Sequence, residues 1–443
     1  MNVTITPARL EGTVKAPASK SEAHRLLICA ALSPETCDID CDTTSQDIDA
    51  TAECLRALGA QVTRTRLGFR VVPIPRDETG RPRARRGALL DCGESGSTLR
   101  FLLPVAAALA CDARLTGHGR LPERPLSPLY EELVAHGSEL GPKGIMPLSV
   151  GGCLSAGRFT IAGNVSSQYV SGLLMAAPLL DQPTEVLVTE PVESLPYIDL
   201  TIAALREFGV EVARKKVATP DGGALSLTVG PRPGLVSPGG VTVGGDWSNA
   251  AFWLCAAALG NPVRVTGVNP DSVQGDRAVL GALALLGARV SRQPGAVDVT
   301  PDDPRGTRLD VRSCPDLVPP LAAVAACSAG TTTVTGAARL RIKESDRLET
   351  VCACVNALGG NCSTTEDGLV IQGVETLAGG TVDAANDHRI AMMAAIMATR
   401  CEGPVTILGA QCVAKSYPDF WEVYESLGGR VLRQREEREA CDM

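Results

Sequence analysis

Residues Ala16 to Leu32 read APASKSEAHRLLICAAL, a helix whose first turns carry Lys20, Ser21, Glu22, His24 and Arg25 and whose remainder holds almost nothing polar. A helix N-terminus bears partial positive charge from unpaired N–H groups, so acids are usual there and bases at the far end. Cations at this end are out of place unless an anion comes to meet them. Apolar side chains on every face mark the rest as a buried helix.

The design recurs along the chain. STLRFLLPVAAALA from Ser97, SQYVSGLLMAAPLL from Ser167, SNAAFWLCAAALG from Ser248, DLVPPLAAVAACSAG from Asp316 and DHRIAMMAAIMATR from Asp387 follow Ser21 at steps of 76, 70, 81, 68 and 71 residues. Each opens with a polar residue able to cap it. A second, amphipathic series ends in LRALGAQV, LREFGVEV, LALLGARV, VNALGGNC, YESLGGRV and a weaker ELVAHGSEL. It places Gly59, Gly137, Gly209, Gly287, Gly359 and Gly428 where a left-handed helix end is needed. These are six copies of one unit, each with two helices among short alternating strands such as QVTRTRLGFRVV, RFTIAG and GALSLTVG.

Six units exceed one core, so the expected fold is mixed α/β (α+β) with three units in each of two domains. If the buried helices of a domain run parallel, their positive ends share one face, and two such faces line a cleft suited to a multiply charged anion. The Pro/Gly-rich stretches VKAPAS (Val14 to Ser19) and GPRPGLVSPGG (Gly230 to Gly240) mark the junctions. They give one domain over 17–235, a discontinuous one over 1–16 and 236–443, and an active site expected between them.

The bulk composition narrows the partners. At 443 residues, 44% apolar, 21% charged and with a net charge of −8, the chain reads as a globular protein whose long-range field repels polyanions. Nucleic acid and membrane surfaces are not expected partners. No apolar run approaches the roughly 18 residues of a membrane span, and MNVTITPARL lacks the basic start and apolar centre of a signal peptide, so a cytoplasmic location is expected. Sixteen cysteines invite a metal reading, but several sit in apolar company as small hydrophobes, and the close pairs Cys37/Cys41 and Cys352/Cys354 are far apart with four histidines to assist. No metal site is expected.

The polar helix starts then read as chemistry. Ser21 and Arg25 lie on one helical face with Lys20 beside them, against the plainer reading of a solvated turn. In NVSSQYV, Ser166, Ser167 and Gln168 supply hydroxyls, an amide and free N–H groups suited to a phosphate, more than plain capping requires. GESGSTLR (Gly93 to Arg100) resembles a glycine-rich anion loop but meets no nucleotide motif. RIKESDRLETV places Lys343 and Arg347 at i and i+4 with Glu344 between, a pattern common on salt-bridged surface helices. In NDHRIAMMAAI, His388 and Arg389 open a buried helix. Glu344 and Asp316 are the candidate proton donors or acceptors, or else counter-ions held ionised by the cations.

Together SKSEAHR, LPERP (Leu121 to Pro125), NVSSQYVSGLLM, SLPYIDLT (Ser194 to Thr201), RIKESDRL, NDHRIAM and CVAKSYPDF (Cys412 to Phe420) resemble the 5-enolpyruvylshikimate-3-phosphate synthases, in the family's order over almost the whole chain. The resemblance implies a two-domain inside-out α/β barrel that closes on its substrates. It also implies transfer of the enolpyruvyl group of phosphoenolpyruvate to the 5-hydroxyl of shikimate 3-phosphate, without metal or organic cofactor, by a monomer. By that resemblance Lys20, Ser21, Arg25, Ser166, Ser167, Gln168, Ser194, Tyr197, Asp316, Arg339 and Lys343 face shikimate 3-phosphate. Lys20, Gly96, Arg124, Gln168, Arg347, Arg389 and Lys415 hold phosphoenolpyruvate. Asp316, Glu344, Lys20 and His388 form the catalytic set, with Asp316 assisting loss of the 5-hydroxyl proton and Glu344 protonating the methylene carbon. Glu94 and Ser97 stand where the family often has Asn and Thr, and Arg339 where Asn or His is usual. Gly96 implies sensitivity to glyphosate, which in this family competes with phosphoenolpyruvate.

Three other readings are weighed against it. UDP-N-acetylglucosamine enolpyruvyl transferase leaves SSQ unexplained, the RNA 3'-phosphate cyclase group fits poorly with the acidic charge, and a non-catalytic anion-binding repeat protein has no use for Glu344 or Asp316.

Overall fold

The computed structural model describes residues 1–220, 222–230 and 234–434. A repeat built from one continuous stretch begins with a strand, crosses through a buried helix to a parallel strand, and returns through an amphipathic helix to a hairpin. The second repeat is typical. Leu89–Asp91 pairs in parallel with Ala113–Thr116 through the helix Gly96–Ala108; Leu148–Gly152 then pairs antiparallel with Ala113–Thr116, and Ser138–Leu140 lies outside it. Parallel neighbours need such a crossover, whereas antiparallel ones need only a turn. Six four-stranded sheets of this strand arrangement form among the described residues, three from a continuous stretch and three with one strand supplied from far along the chain. The helix-ending glycines Gly59, Gly137, Gly209, Gly287, Gly359 and Gly428 all hold φ between 77° and 113°, the left-handed region that side chains avoid.

The chain divides into two compact units. One comprises Met1–Pro17, Gly245–Ser272 and the chain from Asp276 on; the other comprises Ala18–Gly244 with Val273–Gly275. Both are closed by strands distant in sequence. Asn2–Thr6 lies between Val405–Leu408 and Arg430–Gln434, and Gly12–Lys15 pairs with Val263–Thr266. The second junction corrects the boundary expected at 236. Gly240–Thr242 pairs in parallel with Cys37–Asp40 and completes the first sheet of the Ala18–Gly244 unit, so the chain leaves that unit at Gly244. Residues 231–233 of the Gly230 to Gly240 stretch lie outside the described residues.

Helix caps also shift from the sequence expectation. The side chains of Ser19, Ser95, Ser166, Asp246 and Asp387 accept a backbone N–H of the first turn, so in four cases the cap lies one or two residues before the expected start. Asp316 caps nothing: it sits in the short turn Pro315–Leu317 ahead of the helix Val318–Ala325. Moving the cap to Ser95 and Ser166 leaves Ser97 and Gln168 free to bond to each other.

Within the Ala18–Gly244 unit the helices Gly96–Ala108 and Ser167–Ala176 ascend together. Gln168 meets Ser97, and one turn later Gly172 meets Arg100 and Pro104. Pro104 has no N–H, so it leaves the Arg100 carbonyl without its helical partner, and a Cβ on Gly172 would overlap that oxygen. Among the described residues, no helix is long and apolar enough to cross a membrane.

Candidate active site

In the Ala18–Gly244 unit the polar helix starts gather around hydroxyls. Arg25 is buried; it donates through Nε to Thr201 Oγ1 (2.7 Å) and through Nη2 to Ser171 Oγ (3.2 Å) and the Tyr197 carbonyl (3.0 Å), with its guanidinium 4.8 Å from the centre of the Phe101 ring. Burial pulls this guanidinium down to about 10, with Tyr197, Cys29 and Glu22 opposing. Tyr197 and Ser194 are drawn to Arg25 by this bond and by the Tyr197 N–H to Ser194 carbonyl bond of 3.1 Å. Ser194 holds φ 52°, ψ 35°, a left-handed conformation that costs a serine on the order of 1 kcal/mol. Ser167 stands one helical turn before Ser171, hence on the same face.

The anion-loop residues join this group through an amide. Gln168 accepts from Arg100 at Oε1 (2.7 Å) and donates from Nε2 to Ser97 Oγ (2.9 Å). Arg124 lies over Gly96, where an added Cβ would stand 2.6 to 2.9 Å from three guanidinium atoms. Lys20 Nζ is 2.8 Å from Asp47 Oδ2, so the cation in the first turn is already matched by a carboxylate from the neighbouring helix. Glu94 lies against Gly119 in the same loop region.

The other unit builds its site from ion pairs. Asp316 Oδ1 receives Arg347 Nη1 (2.9 Å) and Lys343 Nζ (3.4 Å), and its Oδ2 receives Arg389 Nη2 (3.2 Å). Arg347, 1% exposed, also donates to Glu344 Oε2 (2.6 Å) and, through Nε and Nη2, to both oxygens of Asp387 (2.8 and 3.2 Å). Asp387 in turn receives Ser345 Oγ (3.0 Å) and the Arg389 N–H (3.0 Å). Lys415 donates to the Asn386 carbonyl at 2.7 Å, beside the same helix start, whose first residue is the buried His388. Arg339 donates to the Arg312 carbonyl (2.7 Å) in the turn that leads to Lys343.

The electrostatics follow from this packing. Burial pushes the Asp316 carboxyl up, but Arg389, Lys343 and Arg347 outweigh burial and the repulsion of Glu344 and hold it well below the usual carboxylate range. Burial pulls Arg347 down, and Asp387, Glu344 and Asp316 raise it above the ordinary guanidinium. Asp276 goes the other way: burial and the Asp316 charge push it up to about 6, against Arg389 and the Ser248 hydroxyl.

The sequence reading of RIKESDRLETV as one surface helix is corrected here. Asp346 caps a helix that begins at Arg347, so Lys343 and Glu344 precede it in a bent segment outside the helix and turn inward with Arg347. Sequence reasoning read Asp387 only as a helix cap and passed over its pairing with Arg347, together with Asp47, Arg100, Asp276 and the Ser171–Thr201 pair. Asp387 and Asp47 carried a usable signal, an acid at or near a helix start beside displaced cations; the others carried none. Among the described residues, no three His, Cys, Asp or Glu side chains cluster as a metal would require.

Comparison with known proteins identifies the family. The family model for EPSP synthase (3-phosphoshikimate 1-carboxyvinyltransferase) matches residues 5–424. A 3-phosphoshikimate 1-carboxyvinyltransferase of Clostridium kluyveri is 40% identical over 97% of this chain and 98% of its own, and that of Clostridium acetobutylicum 39% over the same shares. The solved EPSP synthase of Acinetobacter baumannii superposes with a TM-score of 0.78 at 28% identity, over 98% of this chain and 100% of that one. The enolpyruvyl transferase NikO of Streptomyces tendae, at 19% identity and a TM-score of 0.74, shares the fold. The chain therefore belongs to the EPSP synthase family and is an enolpyruvyl transferase of the shikimate pathway, acting on shikimate 3-phosphate and phosphoenolpyruvate.

Proposed function

We propose that the two units divide the work of this transfer. The hydroxyl set, Ser166, Ser167, Gln168, Ser194, Tyr197, Arg25 and Ser21, binds shikimate 3-phosphate, its phosphate at the start of the Ser167–Ala176 helix, with Lys343, Arg339 and Asp316 reaching its ring. Lys20, Gly96, Arg124, Gln168, Arg347, Arg389 and Lys415 bind phosphoenolpyruvate. The observation that supports this reading is the convergence of Lys343, Arg347 and Arg389, from motifs about 45 residues apart at most, on the single carboxylate of Asp316, with Glu344 held beside them by Arg347.

The chemistry follows from that convergence. The 5-hydroxyl oxygen bonds to C2 of phosphoenolpyruvate as its proton passes to Asp316, and Glu344 delivers a proton to C3. The tetrahedral adduct then breaks its C2–O bond to phosphate while C3 returns its proton to Glu344, and the departing phosphate carries away the proton held by Asp316. In the free protein Asp316 is a weak base because three cations surround it. When Lys343, Arg347 and Arg389 turn toward the anionic substrates, that restraint lessens and the carboxylate becomes more basic where a base is needed. Lys20, His388 and the arginines stabilise the charge carried through the adduct.

We further propose that the chain acts as a monomer in the cytoplasm; sedimentation velocity tests the first point and fractionation of the source cells the second. The reading as a whole is tested by mixing the purified protein with both substrates. Stoichiometric phosphate release that needs both substrates supports it, and no release overturns it. Isothermal titration with shikimate 3-phosphate should show binding lost in the Ser166→Ala/Ser167→Ala double variant; unchanged affinity would remove the serines from the site.

A further inference from the structure

A line of buried hydrogen bonds lies behind the residues assigned to phosphoenolpyruvate. His24 is fully buried one helical turn beyond Lys20 and places Nδ1 2.7 Å from Thr51 Oγ1; Thr51 Oγ1 is 2.7 Å from Thr98 Oγ1, and Thr98 donates to Ser95 Oγ at 2.8 Å. Thr98 also reaches the Asp47 carbonyl at 3.4 Å. The line therefore ends on two features of the site: Ser95, the cap of the helix that begins with Gly96 and Ser97, and Asp47, the partner of Lys20. Each member is buried, so water does not compete for these bonds.

The imidazole fits only one way. Burial first, then Lys20 and Arg25, keep His24 well below its ordinary value, so the ring is neutral and carries one N–H. Its Nε2 is buried without a hydrogen-bond partner. An orphaned N–H is rarer in protein interiors than an under-used acceptor, which assigns the proton to Nδ1. His24 then donates to Thr51 and Thr51 to Thr98, and Thr98 shares its proton between Ser95 Oγ, the nearer acceptor, and the Asp47 carbonyl.

We propose that His24 is a positioning residue for phosphoenolpyruvate, setting through Thr51 and Thr98 where Lys20 and the Gly96 helix start present themselves to it. This rests on the assignment of Lys20 and Gly96 to that substrate. The role is specific to Nδ1, and that makes it testable. Asparagine places an amide N–H near the position of Nδ1, whereas glutamine places its amide near Nε2, where the structure has nothing to receive it.

The test compares His24→Asn, His24→Gln and Lys20→Met by steady-state kinetics, with thermal melting and shikimate 3-phosphate affinity measured alongside. His24→Gln should raise KM for phosphoenolpyruvate about tenfold, the worth of one buried hydrogen bond, and change kcat and shikimate 3-phosphate affinity by less than about twofold. His24→Asn should restore KM to within about threefold of the unsubstituted protein. Equal KM values for the two variants overturn the proposal, as does a loss confined to kcat or to shikimate 3-phosphate binding. If His24→Gln does not fold, Thr51→Val, which keeps the shape and removes the relay hydroxyl, must by itself raise KM for phosphoenolpyruvate, or the proposal fails. Lys20→Met separates the two readings: an unchanged KM there removes the site assignment, whereas a raised KM beside a normal His24→Gln removes only the role of His24.

Discussion

Around the start of the Ser167–Ala176 helix the side chains are hydroxyls and an amide, whereas around the start of His388–Met397 they are carboxylates and guanidinium groups. Both starts carry the same partial charge, and each belongs to a copy of the same repeating unit. In one unit the cation Arg25 is solvated by neutral oxygens from Thr201, Ser171 and Tyr197. In the other, Arg347 is solvated by Asp316, Glu344 and Asp387. Neutral oxygens hold a cation without titrating and leave its charge unspent, which suits recognition of a phosphate ester over a range of pH. Carboxylates cancel the charge until something more anionic competes for it, and they bring proton acceptors to the same place. The repeat thus supplies a positive helix end six times, and the residues set on it decide between binding and proton transfer.

The contrast breaks first in stability. Asp387→Ala removes the carboxylate that pairs with Arg347 and caps a helix, leaving a buried guanidinium short of its partner; the expected loss is about 3–5 kcal/mol. Ser166→Ala removes a cap of the same kind with no ion attached and should cost about 1 kcal/mol. Urea unfolding of both variants gives the comparison. Equal losses would mean that the ion pairs of the Arg347 cluster contribute nothing beyond capping.

Next comes pH. Asp276 is raised from 3.8 to about 6, so its contribution to stability is fully present below about pH 4 and is lost as pH rises through 6. Asp316 is depressed, so its contribution is present above 3.8 and lost only as pH falls further. Between pH 4 and 6 the first effect acts alone. Asp276→Asn should therefore gain on the unsubstituted protein by on the order of 2–3 kcal/mol across that interval. A difference that stays flat with pH would show that Asp276 ionises normally in the folded chain. The hydroxyl cluster around Arg25 offers no such carboxylate, and Ser171→Ala should shift stability equally at both pH values.

Lys20→Met moves the test to activity. Removal of one charge-assisted contact, worth about 1.5–3 kcal/mol, should lower kcat/KM for phosphoenolpyruvate at least about tenfold. Because its partner Asp47 keeps some access to water, the stability loss should remain near 1 kcal/mol. Near-normal kinetics would sink the assignment of Lys20.

How much of this was legible beforehand depends on whether a feature repeats. The six units were legible because Gly59 and its five counterparts recur at a near-constant step, each demanded by a left-handed helix end. The convergence on Asp316 was not legible from spacing: its partners lie 27 to 73 residues away, and only the family resemblance placed them together. The four-residue spacing of Lys343 and Arg347 even pointed the wrong way, toward a continuous surface helix, because nothing local distinguishes a cap at Asp346 from a helical aspartate. The junction was misplaced for a related reason. Composition marks where a chain bends, but strand pairing decides which unit keeps Gly240–Thr242.

The smallest effect is expected at Gly96. From sequence, a methyl there intrudes only on an inhibitor longer than phosphoenolpyruvate. The structure puts Arg124 in the way first, with guanidinium atoms 2.6 to 2.9 Å from the Cβ that Gly96→Ala would add. These atoms are the far end of a flexible side chain, so the guanidinium swings aside and the fold is undisturbed. It is also a group assigned to phosphoenolpyruvate, so the substrate is affected as well as the inhibitor. Gly96→Ala should raise KM for phosphoenolpyruvate by a few-fold, roughly 1 kcal/mol or less, and raise the inhibition constant of glyphosate by more, since the longer anion meets both the methyl and the displaced arginine. Arg124→Ala separates the two contributions. In that background the methyl has nothing to displace, so adding Gly96→Ala should leave KM for phosphoenolpyruvate unchanged while still weakening glyphosate. If the two substitutions simply add for phosphoenolpyruvate, the methyl acts on the substrate directly and Arg124 is not the residue that it moves.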